Sequence, residues 1–330
     1  MVGTPMEPDH ANPLNEPNLP PAIRVEQLTK RLRNGIVAVD GLDLDVAQGQ
    51  VVGLVGPNGS GKTITLRILL GLVRPTSGRV LLFGHEVRPG AEVLGRVGAL
   101  VDGPGFVPHL SGRRNLDLSA RQIRLSGGSV DLDVAVGMSG LGQAIDRAYS
   151  GYSHGMRYRL AMAQALLGSP DLLLLDEPTT GMDPSQAFDV HDAIAACSAT
   201  GTTVVLSSHL MSEVQRICTH AAILRSGRLV ATGSVTELVG TTPRLIMEVD
   251  NRDRAIAVLR GLPGVSRITA TGLGSVAVEG GPLGPVQLLE ALDRQGVRVS
   301  GFRTGNFEDS YLDLFAADPH QAPVSGSPEH

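Results

Sequence analysis

An α/β fold followed by a smaller α+β module is what this 330-residue sequence predicts, and three observations carry the prediction. From residue 23 onward, short apolar runs alternate with stretches of helical periodicity, the pattern of a layered α/β domain. A glycine-rich loop at 56–61 stands between an apolar run (51–55) and a helix-compatible run (64–72), giving the order strand, loop, helix. Beyond residues 240–243 the periodicity restarts in a shorter unit ordered β-α-β-β-α-β, which is ferredoxin-like.

Along the chain, residues 23–28, 36–46, 51–55 and 80–83 read as strands, the first two in an antiparallel layer. The helix at 64–72 is closed by the turn chemistry of Arg74, Pro75 and Gly78. Residues 97–101 form another strand, and a Gly/Pro-rich loop over 102–109 follows. Helical patterning then dominates 111–167, broken at 126–129 and 137–142, so a helical insertion over about 103–168 is expected. An apolar run from Leu172 ends in two acids, Asp176 and Glu177, and reads as a buried parallel strand. A helix at 184–199 has Pro184 in its first turn, where proline is favoured. A strand at 202–206 and a hairpin over 221–232 complete the larger unit. The smaller unit reads as strands at 244–249, 265–270, 275–279 and 297–303 with helices at 252–260 and 286–295. The expected organisation is a disordered tail over 1–21, a nucleotide-binding domain over 22–240, a regulatory or dimerisation domain over 241–316, and a disordered tail over 317–330.

Composition narrows the function classes. Hydrophobic residues make up 42% and charged residues 18%, as in a soluble globular protein. A net charge of −5 without a basic stripe gives no reason to expect nucleic acid as a partner. The two cysteines, Cys197 and Cys218, provide no disulfide framework and fit a reducing compartment. The histidines lack metal-site spacing, so no structural zinc is expected. The first 21 residues lack the apolar core of a secretion signal, and no apolar run is long enough to cross a bilayer. A membrane function would need other polypeptides to supply the membrane part.

The loop Gly56, Pro57, Asn58, Gly59, Ser60, Gly61, Lys62, Thr63 matches G-x-x-x-x-G-K-[ST]. Glycines there let successive backbone N–H groups turn inward at the positive end of the helix that continues through Ile64, enclosing a polyphosphate. Lys62 would reach the β- and γ-phosphates, and the Thr63 hydroxyl would ligate Mg²⁺. Asp176, at the tip of its strand, would hold Mg²⁺ through water, and Glu177 would polarise a water for in-line attack on the γ-phosphate. Adjacent acids at a strand end alone could be a solvated turn; the phosphate loop upstream argues for the catalytic reading.

Between these motifs stands Tyr152, Ser153, His154, Gly155, Met156, immediately before a helix. With Asp176-Glu177-Pro178-Thr179, the Gly181-Met182-Asp183-Pro184 turn and Ser207-Ser208-His209, this set resembles the ordered motifs of the ATP-binding cassette (ABC) ATPases over residues 23–239. The resemblance implies a P-loop NTPase architecture with a RecA-like core, an antiparallel β subdomain and a helical subdomain. It also implies ATP and Mg²⁺ as cofactors. Ser153 and Gly155 would contact the γ-phosphate held by a second subunit, Asp183 would contact that subunit, and His209 would sense the γ-phosphate.

Two departures from the pattern stand out. Asp102 occupies the place of the usual glutamine and, as a carboxylate, could ligate Mg²⁺. The adenine-stacking aromatic expected near Leu32 is absent, which costs about 0.5–1.5 kcal/mol of stacking and implies weak base selectivity.

The end of the chain, around Phe307 to Leu314, looks like that of ATPase subunits in drug-efflux and antibiotic self-resistance systems. The reading is therefore an ATP-hydrolysing subunit, a homodimer at the cytoplasmic face of the membrane, powering export of a drug, antibiotic or other hydrophobic or peptide substrate. A separate transmembrane permease would dock at the loop after Asp102 and the segment Phe106 to Leu116. A soluble, non-transport regulatory ABC ATPase is the alternative, for which two cassettes or a long charged linker would be expected. A P-loop small-molecule kinase would need a lid and an acceptor site and would have no use for the motif at Ser153.

Overall fold

Strand β1 (Ile23–Arg31) pairs antiparallel with β2 (Val37–Val46), and its apolar residues Ile23, Val25 and Leu28 turn inward while the charges between them stay in solvent. In the computed structural model, residues 19–103, 105–125, 128–239, 244–271, 274–280, 284–305 and 309 are described. Residues 1–18 of the expected tail at 1–21, the tail at 317–330, the boundary at 240–243 and most of the terminal segment at 306–316 lie outside them.

Strand β3 (Val51–Val55) leads through the glycine loop into α1 (Lys62–Leu69). The helix starts two residues earlier than its apolar pattern suggests, because Gly61 at φ 104 is the last residue that cannot be helical. Next come β4 (Ser77–Leu82), the short β5 (His85–Glu86) and β6 (Val97–Leu100). Strands β2, β1, β4 and β5 form one antiparallel sheet in that order.

Helices α2 (Gly112–Leu125), α3 (Leu132–Met138) and α4 (His154–Ala165) form the insertion, joined by two 3₁₀ turns at Gly142–Asp146 and Tyr149–Gly151. They enclose a core of their own, with Leu116, Ala135, Ile145, Tyr152 and Leu160 buried together. Tyr152 serves this packing, its hydroxyl donating to the Ala144 carbonyl at 2.8 Å.

The chain returns through β7 (Leu172–Asp176), α5 (Pro184–Ala199), β8 (Thr203–Ser208), α6 (Met211–Ile217), β9 (His220–Arg225), β10 (Arg228–Ser234) and α7 (Val235–Val239). A six-stranded sheet runs β10-β9-β3-β8-β7-β6, parallel except for the β10 edge. Its inner strands are apolar without alternation because both faces are covered. Val52, Leu54, Leu172, Leu174 and Val205 pack toward α1 and the antiparallel sheet, and Val55, Leu173, Leu175, Val204 and Leu206 toward α4, α5 and α6. Helices α6 and α7 and the short β5 are the elements that periodicity misses; α6 and α7 have seven and five residues, too few to display a helical repeat.

The C-terminal unit comprises β11 (Arg244–Val249), α8 (Arg252–Arg260), β12 (Arg267–Thr271), β13 (Ser275–Glu279), α9 (Pro285–Arg294) and β14 (Val299–Thr304). Its antiparallel sheet runs β12-β13-β11-β14, the ferredoxin-like order expected from the β-α-β-β-α-β pattern. Met247, Val276, Val278, Leu259 and Leu292 form its separate core.

Candidate functional site

The parallel sheet brings the ends of β3, β7 and β8 side by side, with Val55 opposite Ser208 and Asp176 opposite Ser207. Loops leaving the carboxyl ends of adjacent parallel strands are where such sheets bind ligands.

The glycine loop after β3 is braced from three sides. A side-chain carbon at Gly56 would lie 2.2 Å from the Leu224 carbonyl oxygen, and one at Gly61 would lie 2.5 Å from that of Ala38. The Gly227 N–H, in the β9–β10 turn, donates to the Ser60 carbonyl at 3.1 Å. Only residues without a side chain allow the loop to pass this close to its supports. Gly61, as the N-cap of α1, provides no side-chain acceptor, so among the described residues the first-turn N–H groups of Lys62, Thr63 and Ile64 have no side-chain cap. The Ser60 hydroxyl is buried and has no hydrogen-bond partner among the described residues. An uncapped helix start and an orphaned buried hydroxyl suit a polyphosphate, which accepts from both.

Lys62 is only 6% exposed, and its ammonium donates to the Gly56 carbonyl at 2.7 Å and that of Pro57 at 3.3 Å. It also lies 3.6 Å from Glu177 Oε1. Thr63, one residue along α1, donates its hydroxyl to Asp176 Oδ1 at 3.1 Å, and Ser207 donates to the same oxygen at 2.6 Å. The Glu177 N–H in turn donates to Ser207 Oγ at 2.9 Å. A hydroxyl and a carboxylate already in contact at the mouth of a phosphate loop are hard oxygen donors of the kind Mg²⁺ takes, so the residues present fit that ion.

Glu177 sits at φ 46, unusual for a residue with a side chain, and its carboxylate faces Lys62. Glu177 Oε2 lies 2.8 Å from His209 Nδ1 and accepts from the Thr180 hydroxyl at 3.1 Å. The expected catalytic residues Lys62, Glu177 and His209 are thus brought into one chain of contacts, with Thr63 and Asp176 beside them.

Asp102 is engaged by an arginine. Arg67 Nε donates to its Oδ2 at 2.9 Å and Arg67 Nη2 to its Oδ1. That guanidinium holds the Asp102 carboxyl below the usual carboxylate range. The contact partner of Asp102 is therefore Arg67, one turn beyond Thr63 on α1, and a metal role would require this pair to open.

The remaining expected residues form a second group. Ser153 is the N-cap of α4, its hydroxyl oxygen accepting from the Met156 N–H at 3.4 Å. Asp183 caps α5 by accepting from the Gln186 N–H at 2.9 Å. Gln186 joins the two ends, since a side-chain carbon at Gly155 would lie 3.2 Å from its amide. Around Leu32 the chain turns through hydrogen bonds from Leu32 N to Ile36 O at 2.8 Å and from Gly35 N to Leu32 O at 3.0 Å. Phe106, expected in a docking surface, is instead buried against Tyr149 with ring centroids 5.0 Å apart, leaving Gly105, Pro108 and His109 exposed.

The model of the ABC transporter family matches residues 39–180. The Nod factor export ATP-binding protein I of Cupriavidus pinatubonensis is 33% identical over 305 residues, covering 90% of this chain and 92% of its own. The chain belongs to the ABC transporter ATP-binding family. The daunorubicin/doxorubicin resistance ATP-binding protein DrrA of Streptomyces peucetius is 39% identical to this ABC protein over 66% of each chain. An ATP-binding cassette solved as a post-hydrolysis dimer with ADP and phosphate superposes with a TM-score of 0.58 at 22% identity, covering 65% of this chain and 99% of that one. At that identity the likeness speaks for the fold alone, which is the cassette fold, and membership of the family makes ATP the nucleotide of the site. No helix among the described residues is long and apolar enough to cross a membrane.

Ser207, Thr180 and Arg67 are site neighbours that motif reading passed over. Ser207 stands inside the Ser-Ser-His triplet, where only the histidine drew notice; Arg67 lies four residues after Thr63 and so on the same face of α1.

Proposed function

We propose that this chain hydrolyses ATP as the motor subunit of an ABC exporter, working as a homodimer on a separate transmembrane permease at the cytoplasmic face of the membrane. The observation that carries the hydrolytic reading is the contact chain Lys62, Glu177, His209, set beside Thr63 and Asp176. The first-turn N–H groups of α1 and the Ser60 hydroxyl would receive phosphate oxygens, and the Lys62 ammonium would leave the Gly56 carbonyl to pair with them. Thr63 and Asp176 would hold Mg²⁺, which supplies charge neutralisation across the β- and γ-phosphates. Glu177 accepts a proton from the attacking water as that oxygen bonds the γ-phosphorus and the bond to the β-phosphate oxygen breaks, releasing ADP and phosphate. Through Nδ1, His209 holds the Glu177 carboxylate toward the loop. Ser153 and Gly155 of a second copy would close over the γ-phosphate, with Asp183 contacting that copy.

Two relatives support the exporter reading, one named for Nod factor export and one for resistance to daunorubicin and doxorubicin. A drug, an antibiotic or another hydrophobic or peptide compound is the cargo class this favours, with the permease docking beside the exposed part of 105–110. Hydrolysis and closure are tested together with Glu177→Gln. Turnover should fall by at least about 100-fold while ATP binding persists and a stable dimer accumulates in Mg-ATP. Undiminished turnover would remove Glu177 from the base role, and a monomer with and without the permease would defeat the transport reading.

A further inference from the structure

We propose that Glu213, on α6, is a positioning residue that clamps the loops carrying Glu177 and His209 into register. The inference rests on the hydrolytic reading above and adds to it a residue that none of the motifs contains.

Glu177 and His209 arrive from different strands, β7 and β8, and their contact at 2.8 Å is made by side chains that are 25% and 42% exposed. A contact so open to water needs support from beneath. Glu213 provides a bridge between the two loops. Its Oε1 accepts from the Thr179 hydroxyl at 2.6 Å, and its Oε2 accepts from the Ser208 hydroxyl at 3.0 Å. Thr179 lies two residues after Glu177, and Ser208 immediately precedes His209. Both hydroxyl residues are buried, at 7% and 1% exposure, so water competes little for these bonds. Hydroxyl donors to a carboxylate are charge-assisted and among the stronger side-chain hydrogen bonds.

Ser208 Oγ also accepts from the Leu210 N–H at 3.0 Å, which ties the clamp to the entry of α6. The backbone of Glu177, at φ 46, persists only where its surroundings hold it. One carboxylate therefore binds the shoulder of each loop, and the tips meet above it.

Full-length protein and the ATPase reaction in steady state test the clamp. Glu213→Ala should lower kcat about 30-fold while the KM for ATP and the nucleotide Kd stay within about twofold, because the phosphate loop is untouched. Glu213→Gln should stay within about threefold of the native rate, since its amide oxygen accepts from one hydroxyl and its NH₂ donates to the other. In a His209→Ala background, adding Glu213→Ala should cost less than about threefold more, because the contact it supports is already gone.

The clamp is overturned by a native kcat in Glu213→Ala, by an affinity loss as large as the rate loss, by Gln proving as damaging as Ala, or by losses that multiply in the double variant. If Glu213→Ala does not fold, Ser208→Ala carries the same test with the same expected split between kcat and KM. When Glu177→Gln silences a native activity that Glu213→Ala leaves intact, only the clamp falls; a native chain that hydrolyses no ATP overturns both.

Discussion

The start of α1 and the starts of α4 and α5 are all helix N-termini at which the family resemblance places contacts with the nucleotide or the partner subunit, yet they are built in opposite ways. Gly61 gives α1 no cap, and the donors of its first turn are left for a ligand. Ser153 and Asp183 cap α4 and α5 with their own side chains. The first site is therefore built to receive an anion, whereas the other two are capped by side chains of the same protomer. Ser153 is the instructive intermediate: its oxygen accepts from the Met156 N–H, and among the described residues none takes its hydroxyl proton, which a donor across an interface would use. Asp183 has only acceptors to offer once ionised, which suits a contact with protein donors better than one with phosphate.

Substitutions can break this contrast at either end. The largest effect is expected at Gly61, where alanine would combine a positive φ of 104 with a side-chain carbon 2.5 Å from a backbone oxygen. Gly61→Ala should weaken ATP binding by at least about 100-fold, because strain of roughly 1–2 kcal/mol adds to displacement of the loop itself. Calorimetric titration with ATP checks this, and near-native affinity would mean that the loop need not hold its shape. Lys62→Ala follows, with an expected loss of about 1.5–3 kcal/mol, roughly 10- to 150-fold in Kd.

The self-capped end should respond differently. Ser153→Gly keeps a tolerated N-cap residue, at a cost of only a few tenths of a kcal/mol, while deleting the hydroxyl. ATP affinity of the single protomer should remain within about twofold, and kcat should fall roughly tenfold as the donor to the facing phosphate is lost. A loss of affinity in the isolated protomer would place Ser153 in the same half of the site as Lys62.

Most of the fold was legible in the apolar runs. The strands Val51–Val55 and Leu172–Asp176 and the helix Pro184–Ala199 have the bounds that pattern and proline position suggest. The contacts that tie the motifs to one another were not legible, for a physical reason. Glu213, Thr179 and Ser208 meet only after β7, β8 and α6 pack, and no spacing rule in one dimension encodes that convergence. Asp102 illustrates the same limit in reverse. Its charge suggested a metal, while the residue that actually holds it, Arg67, lies across the fold on α1.

The smallest predicted effect concerns the base rather than the phosphates. The donors gathered in the α1 half of the site, the uncapped N–H groups, the Ser60 hydroxyl and the Lys62 ammonium, suit a polyphosphate rather than a base. On the side where the family places an aromatic, this chain has Leu32, in a turn closed by the Leu32–Ile36 hydrogen bond, with Ile36 exposed beside it. An aliphatic side chain can cover one face of a purine, but it offers neither a ring to stack on nor a polar group to read the base edge. ATP should therefore be preferred over GTP by less than about tenfold. Leu32→Tyr should tighten ATP binding by about 0.5–1.5 kcal/mol, roughly 2- to 12-fold, and should do so equally for GTP, because stacking ignores the base edge. Parallel titrations of both nucleotides on native and Leu32→Tyr protein decide the matter. A strong native preference for ATP would require a base-reading group that the turn at Leu32 does not contain.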